Sequence, residues 1–201
     1  MGYYIRVLST SSACVPLAEL ASAIEENNLQ ARLTLAVGTN NDWEQLILSH
    51  DDGREIAAIE RNLVESGSVA SEELEEFADE LADGRPASAA QWLLDYFKGV
   101  RSIYACQVLS GTEHKNGWEI LGAVKNRIWS AAPSILQADR EGFSNESGYH
   151  ILWQFSESAE GDWWMAVLKE GEWAPFLMDL GSSTHREAFF QGLIPEGAKL
   201  A

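Results

Sequence analysis

The sequence of 201 residues has few cysteines, few basic residues and no long apolar run. Its two cysteines, Cys14 and Cys106, are too few for a disulfide framework, so we interpret both as free buried thiols. No apolar run approaches the ~18 residues that a membrane-spanning helix needs. The first residues also lack the basic segment and apolar core of a secretory signal. These absences predict a soluble cytoplasmic protein that does not associate with membranes.

The sequence also has few basic residues relative to acidic ones. The chain has 14 Lys and Arg against 31 Asp and Glu, which gives a formal net charge of −17. Nucleic acids are bound through clustered Lys and Arg, so this composition predicts no nucleic-acid partner. Eight of the acidic residues lie between Glu65 and Asp83, with no basic residue among them. A surface of this kind attracts a basic protein partner, but it also serves simply to keep a protein soluble.

The sequence also lacks the specific motifs that identify catalytic, metal-binding or nucleotide-binding sites. The sequence has no Gly-rich phosphate loop, no nucleophile in a G-x-S-x-G context and no H-x-x-x-H pair. It therefore predicts no metal ion and no other cofactor. Whether the protein is an enzyme is not decided by these residues.

Alternation of apolar and polar residues predicts strands, and recurrence every three to four residues predicts helices. The first 60 residues contain four predicted strands and a helix that Pro16 opens, in the order β-α-β-β-β. The strands are predicted at 3–9, 31–37, 43–49 and 54–60.

The acidic stretch predicts a helix capped by Ser71, with Leu74, Phe77, Ala78 and Leu81 as its apolar stripe. A second helix is predicted at 87–97, so the two form a helical connector. The remaining faces of the first helix carry carboxylates, and they are the predicted partner-binding residues: Glu72, Glu73, Glu76, Asp79 and Glu80.

The second half begins in the same order as the first, with a strand at 102–110, a helix at 114–130 and a strand at 134–138, and reads β-α-β-β-β-β in all. A tryptophan-rich antiparallel meander follows at 149–155, 163–168 and 173–178. Because Val7-Leu8-Ser9 and Val108-Leu109-Ser110 precede corresponding loops and helices, the two halves are consistent with a duplicated unit.

The predicted fold class is α+β, with a mostly antiparallel sheet, flanking helices and two similar β-α-β-β-β units. The predicted organisation is an N-terminal α/β unit at 1–63, the acidic connector at 64–100 and a C-terminal unit at 101–201, or one compact domain that contains all three.

The meander is apolar on both faces and needs cover on both. Trp163 and Trp164 point to opposite faces, which favours core packing, with stacking of a sugar or base on an exposed indole as the alternative. Thr184 and Glu187 have the spacing of a capping box that opens a final helix, and this helix is predicted to cover the meander.

Candidate catalytic residues cluster after the 134–138 strand. Asp139, Glu141 and His150 flank a loop with two glycines, and Asp179 and His185 follow the last strand of the meander. Carboxylates and imidazoles are the usual general acids and bases, so these five residues are the predicted catalytic set. The alternative is an ordinary loop whose Ser and Asn side chains satisfy turn backbones.

The leading functional hypothesis is a cytoplasmic interaction module, of the inhibitor or immunity kind, whose acidic surface binds a basic protein. The competing hypothesis is a small-molecule enzyme or binder that uses the 139–150 loop. A third is a structural component of a larger assembly, which would present a broad apolar surface.

Overall fold

The computed structural model describes residues 2–201, which form eleven β-strands and five α-helices. All but one of the strand pairs described below are antiparallel, so the predicted α+β class is confirmed. The strands are β1 (Tyr3–Ser9), β2 (Arg32–Thr39), β3 (Asp42–Ser49), β4 (Glu55–Leu63), β5 (Ser102–Val108), β6 (Ser134–Ala138), β7 (Gly142–Ser144), β8 (His150–Trp153), β9 (Asp162–Lys169), β10 (Glu172–Asp179) and β11 (Lys199–Leu200). The helices are α1 (Leu17–Glu26), α2 (Val69–Glu80), α3 (Ala87–Phe97), α4 (Gly117–Ser130) and α5 (Ser183–Phe190).

The chain divides into two compact units that interleave along the sequence. The first unit contains the chain up to Ser71 together with Val100–Ser134, and the second contains Glu72–Gly99 together with Ile135–Ala201. The predicted segments 1–63, 64–100 and 101–201, and the predicted duplication, stay predictions about organisation along the sequence.

In the first unit the strand order is β1-β5-β4-β3-β2. Strand β5 pairs antiparallel with both β1 and β4, and Tyr104 lies opposite Val7 and Arg61. Helices α1 and α4 pack against each other. The indole of Trp43, which is fully buried, donates from Nε1 to the carbonyl of Val15 at 2.8 Å and so ties β3 to the loop before α1.

In the second unit the strand order is β11-β10-β9-β8-β7-β6. Its pairs are antiparallel except for β8 and β9, which meet in parallel at His150 and Met165. The predicted antiparallel meander is therefore wrong at this junction. Alternation along a strand predicts which residues share a face, but it carries no information on the direction of the neighbouring strand.

The last helix covers the meander, as predicted. Phe189 of α5 is fully buried in a cluster with Met165, Phe176 and Met178 of β9 and β10. Trp163 and Trp164 are less covered, with 39% and 37% of their surface exposed.

Two predicted helix caps are wrong by two or three residues. Helix α2 begins at Val69, and the hydroxyl of Ser68 accepts from the backbone N–H of Ser71 at 3.2 Å. Helix α5 is capped by Ser182, which accepts from the N–H of His185 at 3.3 Å, so the predicted box from Thr184 does not form the cap. At the start of α2 the serines Ser66, Ser68 and Ser71 lie close together, and at the start of α5 three hydroxyl residues are consecutive at 182–184, so more than one residue satisfies each sequence pattern.

Both cysteines are free thiols. Cys106 is buried, as predicted, whereas Cys14 is half-buried. No helix within residues 2–201 is both long enough and apolar enough to cross a membrane.

Candidate functional site

Helix α2 is amphipathic and turns its acidic face outward. Leu74, Phe77 and Leu81 lie in the core, where the Phe77 ring meets Phe143 edge to face at 5.5 Å between centroids. This contact anchors the apolar stripe within the second unit and fixes which side of the helix meets water. The predicted stripe is confirmed at these three positions, and Ala78 is half-buried.

The predicted partner-binding residues occupy the outward side of α2. Positions three and four apart lie on one face of a helix, which aligns Glu72, Glu76 and Glu80 with Asp79 beside them. These four side chains are exposed, and Glu73, at the border with the apolar stripe, is half-buried. The structure therefore brings the five residues together on one helix as a surface of uniform charge.

The 139–150 loop is organised by a buried asparagine. Asn145 is 1% exposed, and its side-chain oxygen accepts from the backbone N–H groups of Ser147 and Tyr149 at 3.0 Å each. Asp139 lies in the tight turn between β6 and β7, and Glu141 is half-buried at the end of that turn. Side-chain acceptors of this kind fix the loop as a set of turns, which is the alternative that the sequence left open.

His150 lies inside the second unit. Its ring is 2% exposed and packs against Phe155 at 4.8 Å between centroids. Its Nε2 lies 2.8 Å from the backbone carbonyl of Glu141, and its Nδ1 lies 3.3 Å from the hydroxyl of Ser144. Since a carbonyl only accepts, Nε2 carries the proton and Nδ1 is left to accept from Ser144.

Burial also decides the charge of His150. Desolvation lowers the pKa of the imidazole from 6.5 to about 4, against the opposing effect of its backbone hydrogen bonds with Glu141 and Leu152. The imidazole is therefore neutral at pH 7. The structure thus places the His150 ring against the backbone carbonyl of Glu141.

Asp179 and His185 form a second pair at the end of β10. The backbone N–H of Asp179 donates to Nδ1 of His185 at 3.3 Å, and the Asp179 carboxylate accepts from the N–H of Gly181 at 2.9 Å. Among residues 2–201, no group of three or more His, Cys, Asp and Glu side chains is placed to hold a metal ion. The catalytic roles of Asp139, Glu141, His150, Asp179 and His185 stay predictions.

A groove runs beside the acidic end of α2, and we call it the aromatic groove. It consists of two cavities that share Trp153 of β8 and Phe190 of α5, whose rings meet edge to face at 5.5 Å. The first cavity, of about 240 Å³, is lined by those two rings together with Glu80, Asp83, Gly84, Arg85, Leu152 and Gln154. The second, of about 510 Å³, is lined by them together with Glu157, Ser183, Arg186 and Glu187.

Hydrogen bonds hold the walls of the aromatic groove in place. The amide of Gln154 donates to the carboxylate of Glu80 at 3.1 Å, and the backbone N–H of Trp153 donates to the carbonyl of Arg85 at 3.0 Å. On the other side, Arg186 donates to the carbonyl of Glu157 at 2.9 Å. The groove is thus built by four segments that are distant in sequence, and one of its walls is the last residue of the acidic helix.

Most residues of the aromatic groove are absent from the sequence-based site. Glu80 was the one predicted binding residue among them, and Trp153 and Phe190 were predicted as apolar faces of a strand and a helix. Asp83 lies just after α2, Glu157 lies in a turn and Glu187 lies within α5, and exposed acidic residues are common at such positions. The one sequence signal that points to this groove is the run of eight acidic residues that ends at Asp83.

A larger cavity, of about 680 Å³, lies in the first unit between α1 and α4. Its charged lining residues are Glu26, Glu119 and Arg127, and Arg127 forms an ion pair with Glu26 at 2.6 Å. The aromatic groove differs because two aromatic rings, Trp153 and Phe190, lie between its carboxylates.

In comparisons with known proteins, no family model, no curated protein and no solved structure matches this chain.

Proposed function

We propose that the protein is an interaction module whose acidic surface binds a basic protein partner. The observation that carries this proposal is that the acidic face of α2 is continuous with the aromatic groove. The exposed carboxylates of α2 run from Glu72 to Glu80, and Glu80 is itself a wall of the aromatic groove. Charge and exposed aromatic surface therefore occur at one place in the second unit.

The two features contribute to binding in different ways. An exposed ion pair contributes only up to about 1 kcal/mol, and its main effect is on the rate of encounter and on salt dependence. Affinity in protein interfaces comes mainly from a few buried aromatic anchors at their centre. The acidic face of α2 therefore supplies steering and selectivity for cations, and the pair Trp153 and Phe190 supplies surface that a partner can bury.

Accessibility favours this function over the small-molecule alternative. The carboxylates of Glu72, Glu76 and Glu80 are exposed and available to a partner. The imidazole of His150 is 2% exposed and engaged with the backbone of Glu141. A general base must reach the proton that it abstracts, so the exposed surface is the better supported site.

The proposal is tested by reversing the charge of three α2 residues and identifying the proteins that the variant still binds. We expect the variant Glu72→Lys/Glu76→Lys/Glu80→Lys to stay folded, because all three residues are exposed and the one hydrogen bond that is lost, from Gln154 to Glu80, lies at the surface. The variant Glu25→Lys/Glu44→Lys/Glu113→Lys is its matched control, since it changes the net charge equally at exposed positions of the first unit. Wild type and both variants are tagged, exposed to lysate of the source cells and washed with salt, and the retained proteins are identified by mass spectrometry.

The proposal expects wild type and the control to retain the same basic protein and the α2 variant to lose it. A folded α2 variant that retains the same proteins as wild type would contradict the proposal. Loss of the partner from both variants alike would show that only total charge matters, and this result would also contradict a defined site on α2.

A further inference from the structure

We infer that the aromatic groove is the anchor site for an apolar side chain flanked by a cation on each side, within a segment of the basic partner. This inference rests on the proposed function and deepens it, because it states the chemistry of the segment that is recognised. It depends on the layout of the two cavities, which share only Glu80 with the acidic face of α2.

The two cavities have the same composition on either side of the shared rings. The smaller one carries Glu80 and Asp83 with one arginine, Arg85. The larger one carries Glu157 and Glu187 with one arginine, Arg186. Each side thus holds two carboxylates against one guanidinium, so each side has an excess of one negative charge, and the apolar surface lies between them.

An apolar group is the chemistry that suits the centre. Trp153 and Phe190 are each half-buried, which leaves part of both rings open to the groove. Burial of one leucine-sized side chain against such surface strengthens binding by about tenfold or more, whereas a polar side chain gains little there. When the apolar side chain binds there, the residues that precede and follow it in the bound segment lie near the carboxylates of the two cavities. These are Glu80 and Asp83 on one side and Glu157 and Glu187 on the other.

Guanidinium groups are the cations that suit the two ends. An arginine pairs with a carboxylate through two parallel hydrogen bonds and also lies favourably on an indole face. Arg85 and Arg186 also line the two cavities, and their charge repels a segment that is positive along its whole length. The groove therefore favours a segment that alternates cation, apolar residue and cation over one that carries charge alone.

The test uses three acetylated and amidated pentapeptides as probes. The first is Arg-Ala-Leu-Ala-Arg, the second replaces leucine by serine, and the third replaces both arginines by glutamate. Each is titrated into the ¹⁵N-labelled full chain, and NMR follows the indole N–H of Trp153 and the backbone N–H groups of Phe190 and α2. The titrations are repeated with Glu157→Lys/Glu187→Lys and with the control Glu172→Lys/Glu196→Lys, whose positions are exposed and do not line either cavity.

We expect the leucine peptide to shift the signals of Trp153 and Phe190, and the serine peptide to bind at least about tenfold more weakly. The glutamate peptide should produce no shift. The groove variant should lose the response to the leucine peptide, and the control should keep it.

Two results would overturn the inference and leave the proposed function standing. If the leucine and serine peptides shift only the α2 signals, and do so equally, the acidic face binds cations and the groove is not an anchor. If none of the peptides shifts any signal at millimolar concentration, the groove does not recognise this pattern. In either case the proposed function is tested separately, by comparing the proteins that wild type and the α2 charge-reversal variant retain from lysate.

Discussion

The imidazole of His150 is the titratable side chain for which burial has the clearest consequence for stability. The pKa of its folded form is about 4, below its ordinary value of 6.5. Between these two values the unfolded chain binds a proton that the folded chain does not. The free energy of unfolding therefore rises with pH across this window, and the contribution of His150 is lost as pH falls from about 6.5 toward 4.

The variant His150→Gln tests this consequence. Between about pH 7.5 and pH 5, wild type should lose roughly 2 kcal/mol more of its unfolding free energy than the variant, because glutamine does not titrate. Urea unfolding at the two pH values measures the difference. The variant is less stable at both, since it disturbs a buried contact, but only the change with pH bears on the prediction. An equal pH dependence in both proteins would show that His150 titrates normally.

At the scale of elements, the β7–β8 hairpin is built around a position that only glycine occupies without strain. Gly142 has φ of +117°, and a Cβ added there would lie 2.1 Å from the carbonyl oxygen of Leu152. Because this neighbour is backbone, it cannot move aside without disrupting the pairing of β7 with β8. The same hairpin carries His150 and leads into Trp153 of the aromatic groove.

We predict that Gly142→Ala destabilises the protein by about 3 kcal/mol or more, because it adds a backbone clash to an unfavourable φ. Gly171→Ala is the matched control. Gly171 also has a positive φ, of +87°, but a Cβ there meets nothing within 4 Å. Its substitution should cost only about 1–2 kcal/mol. Chemical unfolding of both variants gives the comparison, and equal losses would contradict the role assigned to the Leu152 carbonyl.

Local pattern predicted many of the elements well. The bounds of β1, α3 and β6 agree with the predicted 3–9, 87–97 and 134–138. Each segment has a clear apolar periodicity and is flanked by residues that favour turns or loops. The direction of β9 against β8 was not predictable, because it depends on how 154–161 crosses between them. The predicted caps of α2 and α5 are wrong because several neighbouring hydroxyl residues offer equivalent choices at each site.

The candidate site was predictable only in its charged part. The acidic residues of α2 follow one another along the chain, so the sequence shows both their charge and their shared face. The aromatic groove is assembled from the end of α2, β8, the loop after it and α5. Apolar patterning predicts that Trp153 and Phe190 face a core, but it does not predict that both lie at an edge of that core with part of each ring exposed.

At the scale of the whole molecule, charge is the dominant feature. The net charge of −17 produces a negative field that reaches beyond any single contact. Such a field accelerates the approach of a cationic partner and weakens as salt is added, because the Debye length shortens from about 10 Å at 0.1 M to about 3 Å at 1 M. Burial of an apolar anchor is not weakened in this way. Binding by this protein should therefore have a salt-sensitive component, from the carboxylates of α2 and of the aromatic groove, and a salt-resistant component, from burial of an apolar side chain against Trp153 and Phe190.

The most direct test of the account is the affinity of the basic protein captured from lysate, measured by calorimetry from about 50 to 500 mM NaCl. Wild type is compared with Glu72→Lys/Glu76→Lys/Glu80→Lys and with the matched control from the first unit. We predict that wild-type affinity falls by about tenfold or more across this range, that the α2 variant binds more weakly with a reduced salt dependence, and that the control stays close to wild type. Affinity that is independent of salt, or unchanged by reversal of the α2 charges, would contradict an acidic interaction surface on this helix.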